Sequence, residues 1–196
     1  MDFSRVESSS DLSTALHLLD AELRELGLAL DPPSTAPGLG EDQLRSWEEA
    51  NADRIRLSDD VRTLWRWHAG STSPWLRFDL LTPDQALAQT EEQRTLNSEV
   101  YPFDPNWVVV GDTDGRRLVV DCSADVAPSA VYSVEPEHEI QWPTLGALAY
   151  VFRFWAFCFA EGLYQPDPGS PRARPGIELI TERTEFLRPS QYREFL

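Results

Sequence analysis

The chain has 196 residues, of which 41% are hydrophobic and 11% aromatic, and this composition predicts one globular domain of ordinary size. Its 33 acidic residues outnumber 17 basic residues, so the formal net charge is −16. This balance disfavours binding to nucleic-acid phosphates, which needs a basic surface, and favours capture of a cationic partner.

Helical patterns fill the first part of the chain. Leucines that recur at steps of four and three, after the capping residues Ser-Ser-Ser-Asp, predict a helix over about residues 11–30. A Pro-rich connector over 31–38 leads to a second helix with acidic residues in its first turn. A third helix is predicted over Leu57–Gly70, with His68 in its last turn and Gly70 as a left-handed stop.

Strand patterns dominate the middle of the chain. Residues 75–81 predict a strand, and residues 82–85 predict a capping box at the start of a short helix. Two β-branched runs within 106–122 predict a hairpin with Asp-Thr-Asp-Gly at its turn, and 129–135 predict a further strand. A long apolar helix is predicted over 142–162.

Helices followed by closely spaced strands and a final helix indicate an α+β domain, with a mainly antiparallel sheet packed with helices. We assign this single domain to residues 1–163. Residues 164–196 form a Pro-rich linker and a C-terminal segment, which either packs back onto the domain or mediates self-association. The oligomeric state stays open.

Three aspartates surround Gly115 in the predicted hairpin: Asp112, Asp114 and Asp121. An EF-hand loop in this frame would need helical flanks and an oxygen ligand at position 110, which is a valine. A phosphate cradle would need more glycines and a following helix. Asp and Gly tolerate the backbone angles of a hairpin turn. We therefore predict a turn, no metal site and no cofactor, with carboxylates exposed for a partner.

The residues that could carry chemistry do not form a catalytic pattern. Neither a G-x-S-x-G elbow nor an H-E-x-x-H pair is present. Cys122 follows an aspartate and Cys158 lies in an apolar helix, and both settings disfavour a thiolate. His17 is expected on an exposed helix face, and His138 lies among carboxylates. We therefore predict that the protein is not an enzyme.

Three features of the sequence predict the cellular compartment of the protein. The opening residues, 1–13, are polar and acidic and lack the apolar region of a signal peptide. The most apolar stretch, Leu145–Ala160, contains Arg153 and is shorter than a bilayer span. Two cysteines are too few for a disulfide framework. We expect a cytoplasmic protein with no membrane or nucleic-acid partner.

The negative charge is concentrated in the predicted domain. From Tyr164 onward acidic residues and arginines balance, so residues 1–163 carry the whole net charge. Acidic residues near the hairpin, and two tryptophans suited to interface contacts, are the candidate partner-binding residues. They are Asp112, Asp114, Asp121, Glu135, Glu137, Glu139, Trp67 and Trp107. The alternative is an acidic surface that only keeps the protein soluble.

The order of these segments resembles the SMI1/KNR4 (SUKH) superfamily over about residues 37–160. The likeness includes the helix start Leu57–Asp60, with serine where the family has proline, and the step His68–Gly70, with alanine where the family has asparagine. It continues through the central hairpin, whose second strand ends in Asp121, and through the following strand and helix. The N-terminal helix and the C-terminal extension lie outside it.

This resemblance implies an antiparallel sheet packed with helices and no catalytic machinery. Bacterial members are typically immunity proteins that bind and neutralise a cognate toxin, often a nuclease, whereas fungal relatives are scaffolds in cell-wall signalling. We therefore expect a bacterial immunity protein of the toxin–antitoxin kind, which occludes a basic toxin with its acidic surface. A non-enzymatic regulatory scaffold, or protein-interaction module, is the alternative.

Overall fold

The computed structural model describes residues 11–27, 35–71, 79–96, 103–113, 116–124, 128–134, 144–162, 164–166 and 173–175. The helices in these ranges are α1 (Leu12–Glu25), α2 (Glu41–Ala50), α3 (Asp59–Trp67), α4 (Pro83–Thr95) and α5 (Leu148–Ala160). The strands in the same ranges are β1 (Thr35–Pro37), β2 (His68–Ser71), β3 (Asp79–Leu80), β4 (Trp107–Thr113), β5 (Arg116–Asp121), β6 (Ala130–Val134), β7 (Thr144–Ala147), β8 (Tyr164–Pro166) and β9 (Ala173–Pro175). The predicted α+β class is confirmed.

Strands β1 to β7 form one antiparallel sheet in which spatial order follows chain order. The predicted hairpin is confirmed as β4 and β5, with Trp107 opposite Asp121 and Val109 opposite Val119. The register shifts between Val109 and Gly111, as happens where one strand carries an extra residue. Strand β6 pairs with the other side of β5, so β5 lies inside the sheet. Strands β8 and β9 form a separate pair.

Side-chain caps begin three helices where the sequence predicts them. Before α1, Asp11 accepts a hydrogen bond from the backbone N–H two residues later, at 3.1 Å. Before α3, Ser58 accepts from the N–H three residues later, at 3.5 Å. Thr82 and Gln85 form the predicted capping box before α4. These caps give partners to amide groups that the start of a helix otherwise leaves without one.

Helix α1 packs along α5, and its inner leucines form one side of the core. These leucines are at most 3% exposed: Leu12, Leu16, Leu19 and Leu23. The predicted periodicity is therefore confirmed, but α1 ends at Glu25 and not near residue 30. Leu26, which follows the helix, is 40% exposed.

Helix α3 ends at Trp67, three residues before the predicted stop at Gly70. His68 is extended, with φ −144° and ψ 127°, and begins β2, which pairs with β1. Strand pairing prevails because β1 supplies backbone partners that His68–Ser71 would lack beyond the end of a helix. The prediction of His68 in a last helical turn is therefore wrong. Gly70 has the positive φ expected of it, 125°, but within β2.

Helix α5 begins at Leu148 and not near residue 142. The residues directly before it form β7, in which Thr144 lies opposite Tyr132 and Ala147 opposite Ala130 of β6. The leucines of this stretch fit helical spacing, but β6 offers backbone partners that extended residues can use.

Strands also form in segments predicted as connectors. Strand β1 lies within the Pro-rich connector 31–38, where proline is tolerated because the strand is at the edge of the sheet. Strands β8 and β9 lie within the predicted segment 164–196, of which residues 176–196 lie outside the described ranges.

Asp60, in the first turn of α3, is 3% exposed and ties this helix to the start of β6. Its Oδ2 accepts a hydrogen bond from the Ser129 N–H at 2.6 Å. Burial raises the pKa of Asp60, and the hydrogen bond from Ser129 only partly opposes this rise. Folding therefore favours the protonated form of this carboxyl group.

We expect the wild type, but not Asp60→Asn, to lose stability as pH rises from about 3.9, the pKa of Asp in the unfolded chain, to the raised pKa of Asp60 in the folded protein. The stability of Asp60→Asn relative to the wild type therefore increases over this pH range. The wild type loses stability in this window because the folded state holds the Asp60 proton more tightly than the unfolded chain does. Asparagine keeps an oxygen acceptor for the Ser129 N–H, whereas Asp60→Ala removes it and costs about 1–3 kcal/mol. Urea unfolding between about pH 4 and pH 7 measures these differences. A pH-independent difference between Asp60→Asn and the wild type would contradict the expectation.

The structure defines the state of the two cysteines and the lengths of the described helices. Cys122 and Cys158 are buried and form no disulfide. Burial raises the pKa of both thiols, which favours their protonated form. Within the described ranges, the helices are too short or too polar to cross a membrane.

Candidate functional site

The predicted partner-binding residues are only partly described by the structure. Trp67, Trp107, Asp112 and Asp121 have defined positions. The other four lie outside the described residues: Asp114, Glu135, Glu137 and Glu139.

Asp112 lies on β4 opposite Arg117 of β5, and the two side chains form an ion pair. Nε2 of Gln89, on α4, also donates to Asp112 Oδ2 at 3.5 Å. The side chains of Arg117 and Asp112 are 15% and 30% exposed, so the pair is largely shielded from solvent. The charge of Asp112 is therefore compensated within the fold.

Trp67, the last residue of α3, is held among helices. Its Nε1 donates to Asp20 of α1 at 2.9 Å, and its ring makes an edge contact with Phe152 of α5, with centroids 5.6 Å apart. The half-buried indole thus joins α1, α3 and α5, and its polar atom is already used within the protein.

Trp107 belongs to a different cluster, on the sheet. Its ring stacks with that of Tyr132 on β6, with centroids 4.7 Å apart and planes at 30°. Because β5 separates the two strands by about 10 Å, the rings must lean toward each other over β5. Val119 of β5 lies opposite Tyr132 in the register and is fully buried. Both rings remain half-buried, so the pair covers the sheet and keeps part of its surface in solvent.

Two carboxylates flank this aromatic pair. Asp121 ends β5 directly opposite Trp107, and the Asp104 backbone oxygen accepts the Trp107 N–H at 3.0 Å. Burial raises the pKa of Tyr132, and the negative charges of Asp121 and Asp104 raise it further. Both carboxylates therefore lie within electrostatic reach of the Tyr132 hydroxyl group. We call Asp104, Trp107, Asp121 and Tyr132 the aromatic–acidic patch.

Neither carboxylate of the aromatic–acidic patch forms an ion pair with a described arginine. Oδ1 of Asp104 accepts the Asn106 N–H, and Oδ1 of Asp121 accepts the Ser123 N–H, both at 2.8 Å. These hydrogen bonds orient the carboxylates. In the described part of the chain, Oδ2 of each accepts no hydrogen bond, so each keeps accepting capacity for a partner.

Unlike the carboxylates of the aromatic–acidic patch, several acidic side chains on the helices have their charge neutralised by arginine. Ion pairs with arginine join α2, α3, α4 and the turn after α2. They are Arg45–Asp42, Arg54–Glu91, Arg62–Glu48, Arg62–Asp59 and Arg66–Glu41. The described arginines therefore neutralise the helical surface more than the aromatic–acidic patch.

This arrangement suits an organic cation. Aromatic faces attract a cation within about 6 Å, and the attraction reaches about 2 kcal/mol when the cation is desolvated. The two carboxylates add Coulomb attraction and repel a phosphate. The described residues contain no group of three or more His, Cys, Asp and Glu side chains that could hold a metal ion. A basic side chain of another protein fits this chemistry.

Asp104 and Tyr132 are not among the residues predicted from the sequence. Tyr132 lies in the predicted strand 129–135, but only the pairing with Val119 shows that it shares a face with Trp107. Asp104 lies in an Asp-Pro-Asn segment directly before Trp107, which is a turn signal that assigns no partner.

No protein-family model matches the chain, and no curated protein matches its sequence. The resemblance to the SMI1/KNR4 superfamily therefore stays a prediction based on segment order.

Proposed function

We propose that this protein is a bacterial immunity protein that binds a basic toxin in the cytoplasm and neutralises it by occlusion. The aromatic–acidic patch carries the proposal, because two carboxylates without a described arginine partner flank half-buried rings in a chain of net charge −16. Tryptophan and tyrosine are enriched among the residues that contribute most to binding at protein interfaces. Occlusion needs neither a catalytic group nor a cofactor.

The overall charge supports rapid capture of such a toxin. A toxin that cleaves nucleic acid holds phosphates in a basic groove. Carboxylates of an inhibitor can occupy that groove in place of the phosphates, and opposite net charges speed the encounter at low salt. A nuclease is therefore the toxin class that this surface suits best.

The first test is affinity capture from a lysate of the organism that encodes the chain, with washes of increasing salt and mass spectrometry of the retained proteins. We expect one basic protein to survive the high-salt wash. Production of that protein alone should arrest growth, and co-production of this chain should restore it.

The second test assigns the binding surface. We expect Asp104→Lys with Asp121→Lys to weaken binding of the captured protein about 100-fold, because like charges then face each other. The control, Glu49→Lys with Glu92→Lys, changes the net charge equally at exposed positions of α2 and α4. It should slow association only modestly. Surface plasmon resonance at two salt concentrations measures both effects.

Other outcomes would contradict the proposal. Several partners that elute together at moderate salt would favour the regulatory scaffold. A single basic partner whose toxicity this chain does not relieve would exclude immunity against that protein. An equal loss of affinity in both double variants would show that the net charge of the protein, and not the aromatic–acidic patch, determines binding.

A further inference from the structure

The aromatic part of the patch is fixed in place. With planes at 30° and centroids 4.7 Å apart, the Trp107 and Tyr132 rings are stacked face against face, so each ring holds the other in position. Phe103, which is 5% exposed, supports Trp107 by an edge contact with centroids 5.5 Å apart and planes at 84°. Rings that are already held in place lose little conformational entropy when a ligand binds.

The acidic part of the patch is also fixed in place. Asp121 is opposite Trp107 in the ladder, and Asp104 lies in the turn before the same tryptophan. The hydrogen bonds from Asn106 and Ser123 hold one oxygen of each carboxylate. A bound cation therefore meets two oriented acceptors beside the rings, and not two freely rotating side chains.

This combination favours a guanidinium group over an ammonium group. A guanidinium is planar, stacks on aromatic faces and carries five N–H donors in a fork that fits carboxylates. An ammonium group is a compact and strongly hydrated point charge, so it gains less from a flat aromatic surface. The two carboxylates repel negatively charged ligands, and they do not attract neutral ligands by Coulomb interaction.

We propose that the aromatic–acidic patch binds one arginine side chain of a basic protein partner, with the guanidinium group against the exposed part of the stacked Trp107–Tyr132 pair and its N–H groups donating to Asp104 and Asp121. This inference deepens the proposed function and rests on it for the nature of the partner. The patch then provides specificity, whereas the net charge of the whole domain mainly determines the association rate.

The test uses a capped Gly-Arg-Gly-Arg-Gly peptide and matched peptides that contain lysine or citrulline in place of arginine. Proton–nitrogen NMR follows the indole N–H signal of Trp107, which is assigned by its loss in Trp107→Phe. We expect a saturable shift with the arginine peptide and at least about threefold weaker binding of the lysine peptide. Citrulline has nearly the same shape without the charge, so it should give no saturable shift.

Variants show whether the two carboxylates are responsible. Asp104→Asn with Asp121→Asn keeps the local acceptor oxygens and removes both charges, and we expect about tenfold weaker binding of the arginine peptide. Glu49→Gln with Glu92→Gln removes the same net charge from exposed positions outside the patch, so it should change the affinity by less than about twofold. The unchanged signals of the other indoles verify that each variant is folded.

Equal affinities in the two double variants, or a saturable response to citrulline, would overturn the arginine site. A captured toxin that binds Asp104→Asn with Asp121→Asn as tightly as wild type would also overturn it and leave the immunity proposal intact. Saturable arginine binding without any captured toxin would instead support the site and contradict immunity. The two proposals can therefore fail separately.

Discussion

Gly38→Ala is expected to lower the free energy of unfolding by about 3 kcal/mol or more. A Cβ at this position would lie 1.7 Å from the carbonyl oxygen of Arg66 and 2.5 Å from its carbonyl carbon, at the end of α3. Both are backbone atoms in a packed region, so they cannot move aside as the tip of a long side chain can. The chain must shift, and the hydrogen bond from Leu39 N–H to the Trp65 oxygen, at 2.9 Å, is strained or lost.

The control for this variant is Gly40→Ala, two residues further along the chain. Gly40 has φ −67° and ψ 157°, which alanine adopts easily, and its added Cβ would meet only the flexible Gln43 side chain at 3.4 Å. Alanine is a poorer N-cap than glycine, so we expect a loss of less than about 1 kcal/mol. Urea unfolding measures both variants. Equal stabilities would show that the chain at Gly38 can withdraw from α3 without cost.

The same close approach explains why a strand follows α3. The segment that contains Gly38 crosses the C-terminus of α3 and supplies a donor to one of the carbonyl groups that the end of a helix leaves without a partner. It also places β1 beside β2, and His68 Nδ1 lies 3.2 Å from the Ala36 oxygen. Gly38 is therefore required by the packing of β1 against α3.

Leu19→Ala is expected to cost about 2–5 kcal/mol, whereas Leu18→Ala should cost less than about 0.5 kcal/mol. Leu19 is 0% exposed on the face of α1 that packs on α5, and Leu18, the adjacent residue, is 41% exposed. The two substitutions change helix propensity equally, so their difference reports the cavity left in the core.

Guanidinium unfolding followed by tryptophan fluorescence measures this pair, because the core contains Trp65 and Trp155. A large loss of stability in Leu19→Ala would show that α1 is an integral part of the domain, although it lies outside residues 37–160, the range of the predicted likeness to the SMI1/KNR4 superfamily. If α1 were only an appended helix, both variants would leave the main unfolding transition unchanged.

The roles of the acidic residues show how far sequence alone can assign a site. Asp112 and Asp121 belong to the same hairpin, and the sequence predicts both as partner-binding residues. The structure pairs Asp112 with Arg117, whereas Asp121 lies four residues further along β5, about 13 Å away, beside Trp107. Their different neighbours, and not their own chemistry, distinguish a stabilising charge from one that is available to a partner.

Local physical chemistry made several elements predictable. The caps at Asp11, Ser58 and Thr82 act within three residues along the chain, so each is visible as a short pattern. The buried leucines of α1 and the hairpin of β4 and β5 also follow from periodicity and turn residues. The α+β class follows from the order of these elements.

Contacts between distant segments decided the rest. Helix α3 ends at Trp67 because the next residues pair with β1, and Thr144–Ala147 form a strand because they pair with β6. In both cases a neighbouring strand supplies hydrogen-bond partners to backbone groups that would be costly to leave without one. The aromatic–acidic patch arises in the same way, since the register of β4, β5 and β6 brings Trp107 and Tyr132 together.

The sequence by itself determined the local elements, the core leucines and the negative charge of the domain. Only the tertiary structure decided which acidic and aromatic residues meet, because strand register depends on pairing across the sheet.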